Sequence, residues 1–328
     1  MMNRSIKLFK NNYIIVFLRS VRLALKTVWN FRKGRKDLKF THLIKFFIIR
    51  AIYGLTYFRN KILHKKSLNM SISDNFQTTL NKNEIIDDLY VNGFCNEFNL
   101  NSDTKDDLLS ELLKNLKNAY ILFKDNSSEI KNLKFSTKDS VNQFLIRKNV
   151  HIIKSTIDFE KTVLLKNIFL NEFFIKLAKD YLNSEKLTII PHFFISAASQ
   201  TTSDYKIISP IKSSAAQEYH FDVDFKKFFK IFVYFTDVFE VNNGAHIYIP
   251  KTHRKKNINN ILTSRFKTSE INKNYNAKKV FLGKSGTTFM VDTFGIHKGS
   301  PVKKGTRMAL ILEFGREHFP TQKECWYI

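Results

Sequence analysis

A histidine and an aspartate stand two residues apart in the segment QEYHFDVDF, residues 217–225. Side chains two positions apart on an extended chain project to the same side, so His220 and Asp222 share one face. One imidazole and one carboxylate on one face can supply two adjacent ligands of a metal ion. A second imidazole from a distant strand completes a set of three, and the candidates are His246, His253 and His297.

Two imidazoles and one carboxylate on one side of a metal leave three positions open, which suits non-haem Fe(II) that reacts with oxygen. His297 lies 75 residues after Asp222, at the end of the strand-like run GTTFMVD, and Arg307 follows ten residues later near the start of TRMALILEF. If these two runs pair, the arginine enters the same cavity. A guanidinium stays charged and binds both oxygens of a carboxylate, so it fits the far carboxylate of 2-oxoglutarate.

Three stretches of the chain resemble the phytanoyl-CoA dioxygenase family of Fe(II)/2-oxoglutarate oxygenases. They are QEYHFDVDF, with its His-x-Asp pair, KIFVYFTDVFEVNNGAHIYIPKTHR, with a strand, an Asn-Gly turn and a Pro-x-Thr-His segment, and VDTFGIHKGSP followed by Arg307. Together they lie within residues 187–315, and VNGF with the helix after it, 91–116, resembles the family's N-terminal lead-in. Residues 1–66 match nothing in the family.

The resemblance implies a double-stranded β-helix, a jelly-roll (cupin-like) barrel with the metal at one end. It also implies that His220, Asp222 and His297 bind iron and that Arg307 binds 2-oxoglutarate, with Gln217 and Tyr234 as further candidate contacts of this co-substrate. The implied cofactors are Fe(II), 2-oxoglutarate and O2. The implied reaction is oxidative decarboxylation of 2-oxoglutarate to succinate and CO2, coupled to hydroxylation of a C–H bond.

The chain departs from the family pattern at one position, and several other polar residues have competing interpretations. Gly299 stands where relatives often have a hydroxyl residue, which removes one expected co-substrate contact. The presence of Asp222 favours hydroxylation over halogenation, because halogenating relatives lack this carboxylate. Asp224 has the wrong spacing for a ligand and is predicted beside the site or on the surface. His253 is predicted to have a structural or substrate-side role, and His246 is predicted to be a core histidine with satisfied hydrogen bonds.

The hydrophobic pattern predicts an α+β chain with a mainly β core and N-terminal helices packed on the barrel. Apolar residues at helical spacing, with acidic residues in the first turn, predict a helix after Ser102 and Asp103, and helix is also expected over 159–183. From residue 187, short β-branched and aromatic runs separated by turn residues predict a sandwich or barrel. The predicted domains are therefore an extension, 1–66, and an oxygenase domain, 67–328, with a helical lead-in at 84–183 and a barrel core at 187–315.

The charge of the chain is concentrated at its N-terminus. Residues 1–66 hold 17 lysines and arginines and one acid, Asp37, whereas the whole chain has a net charge of +25. Two stretches, 14–29 and 43–55, have apolar faces at helical spacing beside basic residues, and neither is long and uncharged enough to span a membrane. One interpretation is a basic helical hairpin on an anionic membrane surface. The other is that both apolar faces pack on the main domain.

The partners follow from the same observations. The expected substrate is a small molecule, a lipid or an envelope precursor, and Cys95 and Cys325 provide no disulfide framework, which fits a cytoplasmic protein that is either free or peripheral on the membrane face. Nucleic acid is disfavoured, because related nucleic-acid demethylases have a second arginine six residues after the first, whereas Arg316 follows Arg307 by nine. The alternative function is a catalytically silent jelly-roll scaffold attached to membrane by its basic N-terminus.

Overall fold

A computed structural model describes residues 70–125, 127–198, 216–222, 225–254, 265–318 and 326–328. The predicted basic extension, 1–66, and Asp224 lie outside the described residues. The secondary structure comprises helices α1 (Lys82–Val91), α2 (Ser102–Lys114), α3 (Lys138–Arg147), α4 (Val163–Phe169), α5 (Glu172–Leu182) and α6 (Thr268–Asn274), with a 3₁₀ turn at Phe159–Lys161. The strands are β1 (Phe76–Gln77), β2 (Phe94–Leu100), β3 (Leu116–Phe123), β4 (Ser128–Leu133), β5 (Val150–Ile157), β6 (Thr188–Ala197), β7 (Tyr219–His220), β8 (Phe225–Tyr234), β9 (His246–Tyr248), β10 (Arg265–Phe266), β11 (Lys279–Phe281), β12 (Thr287–Val291), β13 (His297–Gly299), β14 (Thr306–His318) and β15 (Trp326–Tyr327).

The strands form two antiparallel sheets. The larger has the order β1-β2-β12-β8-β14-β6-β5-β3-β4, with β15 also paired to β6, and the smaller has the order β10-β7-β13-β9-β11. Successive strands change sheet: β7 belongs to the smaller sheet, β8 to the larger, β9 and β11 to the smaller, β12 to the larger, β13 to the smaller and β14 to the larger. The prediction of a mainly β core with added helices is therefore confirmed.

An aromatic layer joins the two sheets. Phe232 of β8 stacks on Phe289 of β12 with ring centroids 5.0 Å apart, and Phe281 of the smaller sheet stacks on Phe289 at 4.1 Å. These rings belong to one buried cluster with Tyr234 and Tyr248. Because the cluster takes side chains from both sheets, the sheets pack face to face.

Alternation along the central strands separates a helix-facing side from an inward side. On β8, residues 229, 231 and 233 join the main hydrophobic core with the helices, and so do residues 308, 310, 312 and 314 of β14. The intervening residues of both strands, at 230, 232 and 234 and at 307, 309, 311 and 313, line a cavity between the sheets. Any polar residue at these inward positions is thereby directed into the cavity.

The segment predicted as a helical lead-in, 84–183, contains strands as well as helices. Strands β2 to β5 lie in it, and they extend the larger sheet on both sides of the strands predicted from residue 187 onward. The helix predicted after Ser102 and Asp103 is present as α2, but it already includes both residues. The capping position is Asn101, whose side chain donates to the carbonyl of Asp74 and does not cap the helix. Within the described part of the chain, no helix has the length and apolar character needed to cross a membrane.

Candidate metal centre and carboxylate pocket

Three predicted ligands meet where the smaller sheet faces the cavity. His220 ends β7 and His297 begins β13, and the two are directly paired across these strands. Asp222 follows β7, where its backbone N–H donates to the carbonyl of Thr293 at 2.9 Å. The ligand atoms of the three side chains all lie within 4.8 Å of one another, and among the described residues no other group of at least three His, Cys, Asp or Glu side chains meets this criterion.

The distances within this group fit a single ion bound between the three side chains. Nε2 of His220 lies 3.6 Å from one carboxylate oxygen of Asp222, and Nε2 of His297 lies 3.5 Å from the other. The two ring centroids are 4.3 Å apart. A pair of imidazoles and a carboxylate so arranged occupy one side of an ion and leave its other side open to the cavity.

Backbone carbonyls fix the orientation of both imidazoles. Nδ1 of His220 lies 2.8 Å from the carbonyl oxygen of Glu218, and Nδ1 of His297 lies 2.9 Å from that of Gly295. A carbonyl only accepts hydrogen bonds, so each Nδ1 carries the proton and each Nε2 presents a lone pair toward Asp222. Metal-ligating histidines are usually held in this way.

The turn before His297 is shaped by a tyrosine. The hydroxyl of Tyr248 donates to the carbonyl of Asp292 at 3.1 Å, and it passes so close to Gly295 that a Cβ there would overlap it. The Asp292 carboxylate accepts from the hydroxyl of buried Tyr181 at 2.7 Å and from the backbone N–H of Phe294 at 3.0 Å. The glycine of the TFGIH segment is therefore required by packing, and the turn places His297 at the start of β13.

Burial sets the charge of the three candidate ligands. It lowers the pKa of His220, and it lowers the pKa of His297 to about 3 with help from the neighbouring imidazole of His220. Burial opposes ionisation of the Asp222 carboxyl, but Lys230 and the two imidazoles outweigh it and hold the pKa of Asp222 well below its usual range. Neutral imidazoles and an ionised carboxylate are the forms that bind a metal, so no proton has to leave.

Arg307 lies at the start of β14, and its side chain reaches the same cavity. Its Nη1 donates to the carbonyl of Gly244, its buried Nε has no hydrogen-bond partner, and no acidic side chain of the described residues forms an ion pair with it. A buried guanidinium without a carboxylate is costly, so it indicates a site for an anionic ligand.

Tyr234 lies near this guanidinium on the cavity wall. Its hydroxyl accepts the backbone N–H of His246 at 3.0 Å and donates to the carbonyl of Phe281 at 3.4 Å. Burial raises the pKa of Tyr234 to about 12, so the phenol stays protonated as a neutral hydrogen-bonding group. Gln217 lies in the segment before β7 and is not among the described residues that line the cavity, whereas Gly299 does line it.

The other two candidate ligands, His253 and His246, lie in different places. His253 lies outside the cavity, with Nε2 3.0 Å from the carbonyl oxygen of Tyr90. His246 lines the cavity, and its ring stacks on His297 with centroids 5.3 Å apart. The prediction that His246 is a satisfied core histidine is wrong, because its buried Nε2 has no hydrogen-bond partner. The reason is that β9 directs this side chain between the two sheets, beside Phe232, rather than into the helix-packed core.

The cavity lined by the three candidate ligands, His246 and Arg307 has a volume of about 280 Å³. Sequence reasoning missed five polar residues on its wall: Lys154, His192, Lys230, Arg265 and Glu313. The signal that could have found two of them is alternation, since Lys230 is four residues before Tyr234 and Glu313 is six after Arg307. Even spacing along a strand places each on the inward face with its predicted neighbour.

No protein-family model matches the sequence, and no curated protein sequence matches it. Solved structures with a similar arrangement include AviO1 from Streptomyces viridochromogenes Tue57, at 12% identity and a TM-score of 0.45 over 76% of this chain and 100% of that one. SnoN, described as a non-heme alpha ketoglutarate dependent epimerase from nogalamycin biosynthesis, is similar in its complex with Fe3+, alpha ketoglutarate and nogalamycin RO, at 9% identity and a TM-score of 0.45 over 71% and 83%.

HygX from Streptomyces hygroscopicus, in a structure with nickel and 2-oxoglutarate bound, is 12% identical with a TM-score of 0.41 over 71% of this chain and 86% of that one. A second HygX structure has iron bound. At this level of similarity the neighbours do not assign an activity to the chain.

Proposed function

We propose that the protein is an Fe(II)- and 2-oxoglutarate-dependent oxygenase. The observation that carries the proposal is that His220, Asp222, His297 and the guanidinium of Arg307 open into one cavity. Three ligands on one side of an ion and a buried cation without a carboxylate are the two halves of a site for a metal-bound dicarboxylate. The order of these residues along the chain also supports the resemblance to the phytanoyl-CoA dioxygenase family.

The donor set fits iron. Two imidazole nitrogens and one carboxylate bind Fe(II) while leaving positions for a co-substrate and O2. When bound, the iron supplies oxidative decarboxylation of 2-oxoglutarate to succinate and CO2, coupled to hydroxylation of a substrate C–H bond. The contribution of the chain is to hold the three ligands in their binding protonation states on short strands of a packed sheet.

Arg307, Tyr234 and His246 are suited to hold the co-substrate. Arg307 pairs with the far carboxylate of 2-oxoglutarate and keeps its charge when buried. The orphaned Nε2 of His246, whose ring lines the cavity and stacks on His297, provides a hydrogen bond to the same molecule. The phenol of Tyr234 supports both residues, since it binds the backbone of His246 and lies beside Arg307. Gln217 contacts the co-substrate only if the segment before β7 changes its conformation.

The fold proposed for this function is a double-stranded β-helix. The support for it is the repeated change of strands from one sheet to the other between β7 and β14. His220 and His297 lie on the smaller sheet, Asp222 directly follows β7, and the arginine lies on the larger sheet. The proposed substrate is a small molecule, a lipid or an envelope precursor, and the proposed outcome is hydroxylation. An anionic membrane surface is the proposed partner of residues 1–66.

Turnover of the co-substrate tests the proposal. Purified protein is incubated with Fe(II), ascorbate, 2-oxoglutarate and air, and succinate is quantified with and without Asp222→Ala. The expected result is slow substrate-independent succinate formation that falls to the protein-free background in the variant, because a metal site with two imidazoles alone no longer holds iron. Equal succinate from the wild type and the variant contradicts the proposal and favours the silent scaffold.

A further inference from the structure

A lysine lies between the candidate metal ligands and a second carboxylate. Nζ of Lys230 donates at 2.9 Å to Oδ2 of Asp222, the oxygen that lies 3.5 Å from Nε2 of His297, and it forms an ion pair with Glu313 at 3.1 Å. The side chains of Lys230 and Glu313 are 13% and 1% exposed, so both charges are largely removed from water. A lysine so deeply buried requires compensation, and two carboxylates provide it.

The larger sheet fixes this arrangement. Lys230 on β8 and Glu313 on β14 are directly paired across the two strands, and both side chains point into the cavity. Strand β12 pairs with the other edge of β8, where Val291 is the partner of Lys230. Central strands paired on both sides are rigid, so the ammonium is held at a defined place relative to Asp222.

The position of the ammonium determines what the carboxylate can do. A ligating carboxylate has two oxygens. Without a hydrogen-bond donor that fixes its orientation, the carboxylate can rotate or bind the ion through both oxygens. A donor that occupies one oxygen leaves the other for the ion and fixes the plane of the carboxylate. A bare ammonium near a divalent cation would repel it, and the negative charge of Glu313 cancels that repulsion.

We infer that Lys230 is a positioning residue for the metal-binding carboxylate of Asp222 and that Glu313 is its buried counter-ion. The inference rests on the proposed metal site and deepens it. It assigns to the site a chain of three charged groups, carboxylate, ammonium and carboxylate, that runs from the smaller sheet to the larger. The opposing explanation is that Lys230 and Glu313 form an ion pair that only supports the fold.

Metal affinity distinguishes these explanations without any turnover. Mn(II) is titrated into metal-free full-length protein by calorimetry, with no 2-oxoglutarate present, and Co(II) absorption bands report the geometry of the bound ion. Lys230→Met should weaken Mn(II) binding by about 10–100-fold, the range typical for groups that orient metal ligands. Lys230→Arg should retain most of the affinity, because the guanidinium also donates to a carboxylate.

Variants that change the charge balance provide a second, independent test of the inference. Glu313→Gln removes one of the two carboxylates that compensate the ammonium and should weaken binding by at least about tenfold through repulsion of the cation. The double variant Lys230→Met/Glu313→Leu restores the balance without restoring the hydrogen bond to Asp222. Its affinity should therefore recover only in part, and its Co(II) bands should stay shifted from those of the wild type.

Lys227→Met is the matched control. Lys227 is a buried lysine three residues earlier on β8, but it lies over the ring of Tyr181, donates to the carbonyl of that residue and does not line the cavity. The control should lose stability yet bind Mn(II) within about twofold of the wild type. A cooperative thermal unfolding transition of each metal-free variant shows that all the proteins being compared are folded.

The outcomes separate the inference from the proposed function. If the wild type binds no Mn(II), or if Asp222→Ala binds it equally well, the metal site itself is wrong. If the site is real but the double variant matches the wild type, Lys230 only balances Glu313 and the inference is overturned. An equal loss in Lys227→Met and Lys230→Met also overturns it. Should Lys230→Met not fold, wild-type affinity and bands in Glu313→Gln would contradict the inference by themselves.

Discussion

Arg307 and Gly244 are joined by a hydrogen bond from the guanidinium Nη1 to the glycine carbonyl. The contact ties the start of β14 to the turn before β9, and so it links the larger sheet to the smaller one beside the candidate metal centre. Because Nε of Arg307 has no hydrogen-bond partner, this single bond leaves donors of the guanidinium for a ligand. The proposed carboxylate pocket therefore depends on the shape of the turn as well as on the arginine.

Gly244→Ala should weaken binding of 2-oxoglutarate. Gly244 has φ +91°, and an added Cβ would lie 2.7 Å from Val302 Cγ2 and 3.1 Å from Arg307 Cδ, so Val302 has to shift and the arginine side chain has to give slightly. We expect affinity for 2-oxoglutarate, measured with Mn(II) by equilibrium dialysis without oxygen, to fall by about tenfold, as for the loss of one good hydrogen bond.

Gly305→Ala controls for backbone strain. Gly305 also has a left-handed conformation, φ +76°, but nothing lies within 4 Å of an added Cβ. Both variants should lose about 1 kcal/mol of unfolding free energy from the unfavourable φ. An equal effect of the two substitutions on 2-oxoglutarate affinity would show that Gly244 has no particular relationship with the pocket.

His246→Leu should separate co-substrate binding from metal binding. The substitution removes the orphaned Nε2 and retains an apolar side chain beside Phe232. We expect Mn(II) affinity to stay within about twofold, while affinity for 2-oxoglutarate falls by about tenfold. His253→Leu removes an imidazole outside the cavity and should change neither affinity; unchanged 2-oxoglutarate binding in His246→Leu would contradict the assigned role.

Stability of the metal-free protein should decrease as the pH falls below about 6.5. Burial is the main cause that lowers the pKa of His192, His220, His246 and His297 from the ordinary value of 6.5. The unfolded chain therefore takes up protons first, so the stabilising contribution is complete above about pH 6.5 and is lost as the pH falls toward the folded-state pKa values.

His192→Gln tests the sign and size of this effect. It removes one titrating imidazole that is not a candidate metal ligand, so the loss of unfolding free energy between pH 6 and 5 should become shallower by up to about 1.4 kcal/mol per pH unit. Chemical denaturation at several pH values measures the slope. Phe194→Leu, at the next inward position of β6, should lower stability without changing the slope, and an unchanged slope in His192→Gln would contradict the assignment.

The basic N-terminal segment should bind anionic vesicles. Replacing Arg19, Arg22 and Lys26 by Glu in the full chain should reduce co-sedimentation with phosphatidylserine vesicles by at least about tenfold, because each basic residue near such a surface contributes about 1 kcal/mol. The same charge change at Lys284, Lys303 and Lys304, which are exposed on the described domain, should have little effect. Equal loss in both variants would assign the attraction to net charge alone.

The sequence predicted the strands of the site better than those at the edge of the sheet. Runs such as GTTFMVD and TRMALILEF are rich in apolar and β-branched residues, and they form β12 and most of β14. Strand β4, SEIKNL, is almost wholly exposed and has no apolar period, so no pattern distinguishes it from a loop. Its place in the sheet comes from pairing with β3.

Residue types and order were sufficient to predict His220, Asp222 and His297 as a group. They did not lead to Lys230, because a lysine in an apolar run suggests an exposed edge unless its alternation with Tyr234 is followed or its partner is known. That partner, Glu313, is 83 positions later and meets it only through the register of β14 on β8. His246 was misjudged for a related reason, since its unsatisfied nitrogen results from packing between sheets and not from local sequence.

The most direct test of the account is an anaerobic absorption spectrum. Protein with Fe(II) and 2-oxoglutarate should show a visible metal-to-ligand charge-transfer band, and Asp222→Ala and Arg307→Ala should lose it at the same concentrations, because one removes a metal ligand and the other the carboxylate partner. A band that persists in both variants, or its absence from folded wild-type protein, would contradict the proposal that these residues form one working site.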